Sequence, residues 1–178
     1  MLYADGSACV LMYAEGTAWA SAVYDVDSAC PGFQQVTVDL TASGTPHTVS
    51  GIFILLACNE NSGSWSSLPN DCWSCAIKIT GGGSSITRVV NDVLTYPAGG
   101  AGPGVQATWC VRAIQKVDEA TNKIQLWDGP DSDNLTLRLS VNDTANAEAD
   151  NIWVGFRMIV AGDVTSKHTL DNFTLVTP

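Results

Sequence analysis

Residues 105–129 read VQATWCVRAIQKVDEATNKIQLWDG, and three further runs follow: 133–141 (DNLTLRLSV), 151–160 (NIWVGFRMIV) and 168–176 (HTLDNFTLV). In the first run Val105, Ala107, Trp109, Val111 and Ala113 fall on one face and Gln106, Thr108, Cys110 and Arg112 on the other. Leu135, Leu137, Leu139 and Val141 oppose Asn134, Thr136, Arg138 and Ser140 in the same way. Side chains of a strand alternate between faces, so a two-residue period sustained over this length predicts half-buried antiparallel strands. Acidic turns separate them, Asp128-Gly129-Pro130-Asp131 and residues 142–150.

Working back toward the N-terminus, the same pattern recurs. Residues 7–14 and 19–26 read as two strands joined by a Glu15-Gly16 turn. In FQQVTVDL (33–40), Val36, Val38 and Leu40 share a face. VSGIFILLAC (49–58) is apolar on both faces, which marks a central strand covered on both sides. CWSCAIKIT (72–80) sets Trp73, Cys75, Ile77 and Ile79 against Ser74, Ala76 and Lys78. Two stretches read as long loops: 59–71, with Trp65 in its middle, and TYPAGGAGPG (95–104), rich in Pro and Gly. The expectation is an all-β, two-sheet antiparallel sandwich of about eleven strands with little or no helix, folded as a single domain over 1–178.

Composition narrows the function classes. Of 178 residues, 46% are hydrophobic and only 15% charged, so polar surface has to come from Ser, Thr, Asn and Gly. A net charge of -10 repels phosphate backbones and argues against nucleic-acid binding. No run is long and apolar enough to span a bilayer as a helix, the best being strand-length. The N-terminus lacks the positive residues and cleavage site of a secretory leader, so the expectation is either that a leader was removed and Met1 replaces it or that the chain leaves the cytosol another way, as a virion component would.

The order of the strands resembles the concanavalin A-like jelly roll, in particular its laminin-G-like branch. The resemblance rests on FQQVTVDL leading into GIFILLA, on CWSCAIKIT followed by SSITRVVND, on WCVRAIQKVDEATNKIQLWDG, and on WVGFRM followed by TLDNFTLV. It implies two packed antiparallel sheets with first and last strands neighbouring. It leaves function open, since such folds serve as sugar-binding modules, glycoside hydrolases, adhesion domains and virion decorations.

Candidate chemistry is sparse. Glycoside hydrolysis needs two carboxylates flanking the scissile bond. The hydrolases that this fold resembles place them as Glu-x-Asp-x-Glu on one strand, and the nearest analogue here is Asp25-x-Asp27. His47 and His168 are the only histidines, and no Gly-x-Ser-x-Gly elbow accompanies them. Cys58, Cys72 and Cys75 include a Cys-x-x-Cys, but positions i and i+3 of a strand point to opposite faces. A disulfide from Cys58 to Cys72, free thiols and a zinc site therefore stay open. Cys75 and Cys110 lie inside strand patterns and read as small apolar filler. Asp128, Asp131, Asp133 and Asn134 offer oxygens for calcium, but their spacing is ordinary turn chemistry. No catalytic residue, metal ligand or cofactor is assigned. Trp73 and Trp109 fall on apolar faces. Trp65 in its polar loop and Trp127 at a hairpin end are the candidate carbohydrate- or partner-binding residues.

The expected function is non-catalytic binding by a jelly-roll protein in a virion or outside the cell. The leading form is a virion surface component, such as a phage capsid decoration or fibre protein, assembled as a homo-oligomer or on capsid or surface proteins. A secreted carbohydrate-binding module or lectin-like adhesin is the alternative, and a jelly-roll glycoside hydrolase stands third.

Overall fold

The computed structural model describes residues 10–13, 18–24, 33–43, 50–59, 71–78, 83–91, 93–102, 108–118, 121–144, 153–160 and 167–176. They form twelve strands: β1 Val10–Tyr13, β2 Ala18–Tyr24, β3 Phe33–Ser43, β4 Gly51–Cys58, β5 Cys72–Lys78 and β6 Gly83–Val90. The second half supplies β7 Val93–Ala101, β8 Thr108–Asp118, β9 Thr121–Gly129, β10 Thr136–Asp143, β11 Trp153–Val160 and β12 Lys167–Val176. No helix occurs among the described residues.

All pairings are antiparallel, and they build two six-stranded sheets. Sheet A runs β1-β12-β3-β8-β9-β10, and sheet B runs β2-β11-β4-β5-β6-β7. The first and last strands are neighbours, with Val10 opposite Leu170 and Tyr13 opposite Lys167. The expected hairpin of β1 and β2 does not form: they sit in different sheets, β1 against β12 and β2 against β11.

The alternation read from the sequence becomes the core. Val36, Val38 and Leu40 of β3 and Val111 and Ala113 of β8 meet Ile52, Ile54 and Leu56 of β4 and Trp73, Cys75 and Ile77 of β5 in one apolar cluster. Each such Val, Leu or Ile contributes about 1.5–3 kcal/mol by leaving water. A polar bridge crosses this interior. Ala57 has φ 50, which turns its N–H out of the ladder, and that N–H donates to Oε1 of buried Gln34 on the facing sheet at 2.7 Å.

The two sheets differ on their outer faces. Sheet B is withdrawn from solvent on both sides at its centre: Leu55, Ser74, Ala76 and Arg157 point away from the core and are still buried. The two-sided burial of β4 matches its uninterrupted apolar sequence. On sheet A the outward residues Thr41, Lys116, Lys123, Ser140 and Thr174 are exposed. Among the described residues, sheet A therefore carries the open face.

Two further elements depart from the sequence reading. Residues 95–101, read as loop, belong to strand β7 at the edge of sheet B. Pro and Gly are tolerated there because an edge strand needs only one side of its ladder. The register slips between Ile86 and Arg88, so Tyr96 and Pro97 both face Thr87, and the bulge absorbs the proline. The turn before it is tight: Val90 pairs with Val93, and Asn91 takes φ 48, a value Asn adopts at hairpin turns. The second departure is in β10. A bulge between Leu137 and Leu139 breaks the alternation, so Leu139 packs on the core while Leu137 turns outward, 41% exposed.

Candidate functional site

The open face of sheet A has one row of side chains that register alone defines. Leu137 on β10 lies opposite Trp127 on β9, Trp127 opposite Arg112 on β8, Arg112 opposite Thr37 on β3, and Thr37 opposite Thr174 on β12. The row on one side is Gly129, Cys110, Asp39 and Asp171, and on the other Ser140, Gln125, Ile114, Gln35 and Val176. An indole, a guanidinium, hydroxyls, amides and carboxylates thus lie side by side on this face, Thr37 and Cys110 among them being buried. Trp127 is half-buried, and its indole N–H is buried without a hydrogen-bond partner, so what the side chain offers outward is ring carbon. Its neighbour Leu137 extends the apolar strip because of the β10 bulge.

The polar groups beside the strip are held in place. Arg112 donates from Nε to Thr37 Oγ1 at 2.9 Å and from Nη2 to the Ser132 carbonyl at 3.3 Å. Asp131 organises the β9–β10 turn. Its Oδ1 accepts from the N–H groups of Asp133 and Asn134, both at 3.0 Å, and from Asn134 Nδ2 at 2.8 Å. The Asn134 side chain and these backbone donors hold the Asp131 carboxyl below the usual carboxylate range. Gly129 admits the turn: a Cβ there would overlap the Asn134 carbonyl. Behind the turn, buried Asp128 accepts from Arg138 Nε and Nη2 and from Trp109 Nε1, each at 2.9 Å.

Asp39 accepts from Asn172 Nδ2 at 2.8 Å, and the buried Cys110 thiol donates to it. Burial first, then that hydrogen bond, pushes the Cys110 thiol up to about 12. Asn172 takes φ 50, and its backbone N–H donates to Asp171 Oδ1 at 2.8 Å. Asp39 and Asp171 are therefore a carboxylate pair in register on adjacent strands. The sequence gives no local sign of it, because β3 and β12 meet only through the fold. The side-chain amide of Asn172 thus bonds a neighbouring strand and not a turn.

The remaining sequence candidates divide. Trp65, Asp25, Asp27 and His47 lie outside the described residues, and of His168 only the backbone, within β12, is described. Trp73 is buried in the core with the Arg88 guanidinium 5.8 Å from its ring centroid. Trp109 packs on the core edge and spends its N–H on Asp128. Cys72 and Cys75 face opposite sides of β5, Cys72 in a small outer cluster and Cys75 in the core. Asp128, Asp131 and Asn134, considered for calcium, are engaged with Arg138, Trp109 and the turn itself. No group of three or more His, Cys, Asp or Glu suited to a metal ion occurs among the described residues. No helix long and apolar enough to cross a membrane occurs among them either.

The two six-stranded sheets, their antiparallel pairing and the adjacency of β1 and β12 define a concanavalin A-like jelly-roll fold. Solved structures with this fold superpose on nearly the whole chain. The legume lectin-like domain from Entamoeba histolytica matches with TM-score 0.67 and 12% identity, over 99% of this chain and 87% of that one. The exoplasmic/lumenal domain of VIP36, in a form bound to Ca2+ and Man3GlcNAc, matches with TM-score 0.60 and 12% identity, over 94% and 77%. The carbohydrate-binding module CBM66 from Bacillus subtilis matches with TM-score 0.56 and 10% identity, over 94% and 86%. No protein-family model and no curated protein sequence matches the chain.

Proposed function

We propose that this chain is a single non-catalytic jelly-roll domain that binds carbohydrate outside the cell, through the open face of sheet A around Trp127. The observation that carries the reading is the row Leu137, Trp127, Arg112, Thr37. An indole presenting ring carbon suits the apolar face of a pyranose, and fixed donors and acceptors beside it suit hydroxyls. The neighbours lend support: VIP36 was solved with a mannose-containing glycan, and CBM66 is named for carbohydrate binding. Trp65, in the 59–71 segment, is a second candidate contact by sequence.

A glycan array with the purified protein tests this. The wild-type chain is expected to bind a defined set of glycans, Trp127→Phe to retain them, and Trp127→Ala to lose at least tenfold in affinity, about 1.4 kcal/mol. A blank array, or binding unchanged in Trp127→Ala, refutes the reading. Hydrolysis of a bound glycan, lost in Asp39→Asn or Asp171→Asn, would instead place the chain among the hydrolases.

A second reading has its own observation. Strand β7 is an edge without a charged residue, and Val93, Leu94 and Tyr96 on it are exposed, Tyr96 at 71%. Native edges usually carry charges that block pairing. This supports protein–protein contact there, as homo-oligomer or on capsid or surface proteins, the form expected of a virion decoration or fibre component.

A further inference from the structure

Strand β4 ends at Cys58 and β5 begins at Cys72. Leu56 and Trp73 are their last paired residues, and both face the core. Ala57, at φ 50, takes one residue out of the alternation. Cys58 therefore faces the outer side of sheet B, where Cys72 already points. The two side chains are fully buried in one small cluster with Leu55, Val89 and Phe53, and their thiols share a hydrogen bond. The next residues out clamp the neck. Asn59 N–H donates to the Asp71 carbonyl at 3.0 Å, Asn59 Nδ2 to Asp71 Oδ2 at 2.9 Å, and Asp71 N–H to Asn59 Oδ1 at 3.2 Å. The second oxygen of Asp71 accepts from Asn91 N–H at 2.9 Å, which ties the neck to the β6–β7 turn.

We propose that Cys58 and Cys72 are a disulfide-forming pair that staples the neck of the 59–71 segment. The oxidant is an exogenous small-molecule disulfide. One cysteine thiolate attacks it and releases one thiol, leaving a mixed disulfide on the protein. The second cysteine then attacks the protein-bound sulfur and releases the other thiol. Two protein thiols and one disulfide become one protein disulfide and two free thiols, which carry off the two protons. Burial holds the Cys58 thiol neutral in the closed fold, so the exchange belongs to folding or to opening of the neck. Cys75 cannot substitute for Cys72, since it faces the core side of the same strand, and Cys110 lies in the other sheet.

The test is refolding the full chain in a mixture of oxidised and reduced glutathione, followed by peptide mapping without reduction. Expected is a Cys58 peptide joined to a Cys72 peptide, with Cys75 and Cys110 recovered as free thiols after unfolding. Added reductant lowers the thermal midpoint of the oxidised wild type more than that of a C58S/C72S variant, which keeps Cys9 and Cys30. A C75S/C110S variant still forms the link. Should C58S/C72S not fold, the wild-type and C75S/C110S maps decide the question. Cys58 and Cys72 recovered as free thiols, or either joined to another cysteine, overturns the proposal.

Discussion

At the scale of single residues, the structure depends on polar groups that the apolar pattern hides. Gln34 alternates onto the core face with Val36 and Val38, where a glutamine is costly unless bonded. Its partner is the Ala57 N–H, freed from the ladder by a left-handed backbone. Replacing Gln34 with Leu leaves that donor buried and unsatisfied, and should cost about 1–3 kcal/mol, read from the urea midpoint. Neither half of this pair was legible in the sequence, because the kink at Ala57 has no local signature such as glycine. The thiols make a second residue-scale prediction. Burial raises Cys75 far above its ordinary range, and Cys110 to about 12. A thiol whose folded value lies above its unfolded value of about 9 adds stability below pH 9, and this is lost as pH rises toward the folded value. Urea midpoints should therefore fall between pH 8 and 11, and iodoacetamide at pH 8 should modify Cys75 and Cys110 only after unfolding. Equal modification of native and unfolded protein would contradict it.

Strands with clean alternation were the legible elements. β3, β5 and β8 bury the faces expected of them, and β4 is covered on both sides as its apolar run implied. What escaped were the positions where a bulge resets the period. Leu137 fits the alternation of residues 134–141, yet one extra residue turns it outward beside Trp127. Residues 95–101 carry Pro97, Gly99 and Gly100, which read as loop chemistry, yet an edge position and a bulge at Pro97 make them strand. That edge yields an element-scale prediction. If β7 is a protein contact, Leu94→Lys combined with Tyr96→Lys should weaken self-association at least tenfold, because desolvating a charge opposes pairing. Sedimentation velocity over a concentration series measures it. A wild type that stays monomeric throughout would remove the homo-oligomer.

For the whole molecule, the strand order and the neighbouring of first and last strands were visible from the order of motifs. The partition between sheets was not, since residues 10–13 and 18–24 look like a hairpin until each finds its partner 130 or more residues away. The candidate site was half legible. Trp127 was singled out as an indole at a hairpin end, but Arg112, Thr37, Asp39 and Asp171 became its companions only through the pairing of β3, β8, β9 and β12. The open face of sheet A lies between two lateral edges, with β1 on one side and β10 on the other. Strand β10 stacks over β7, where Leu139 reaches Gly100. Strands β1 and β12 therefore lie together at one margin of the body, opposite the uncharged rim of β7. A support that touched the molecule along that margin would leave the Trp127 surface and the far rim turned toward whatever approaches.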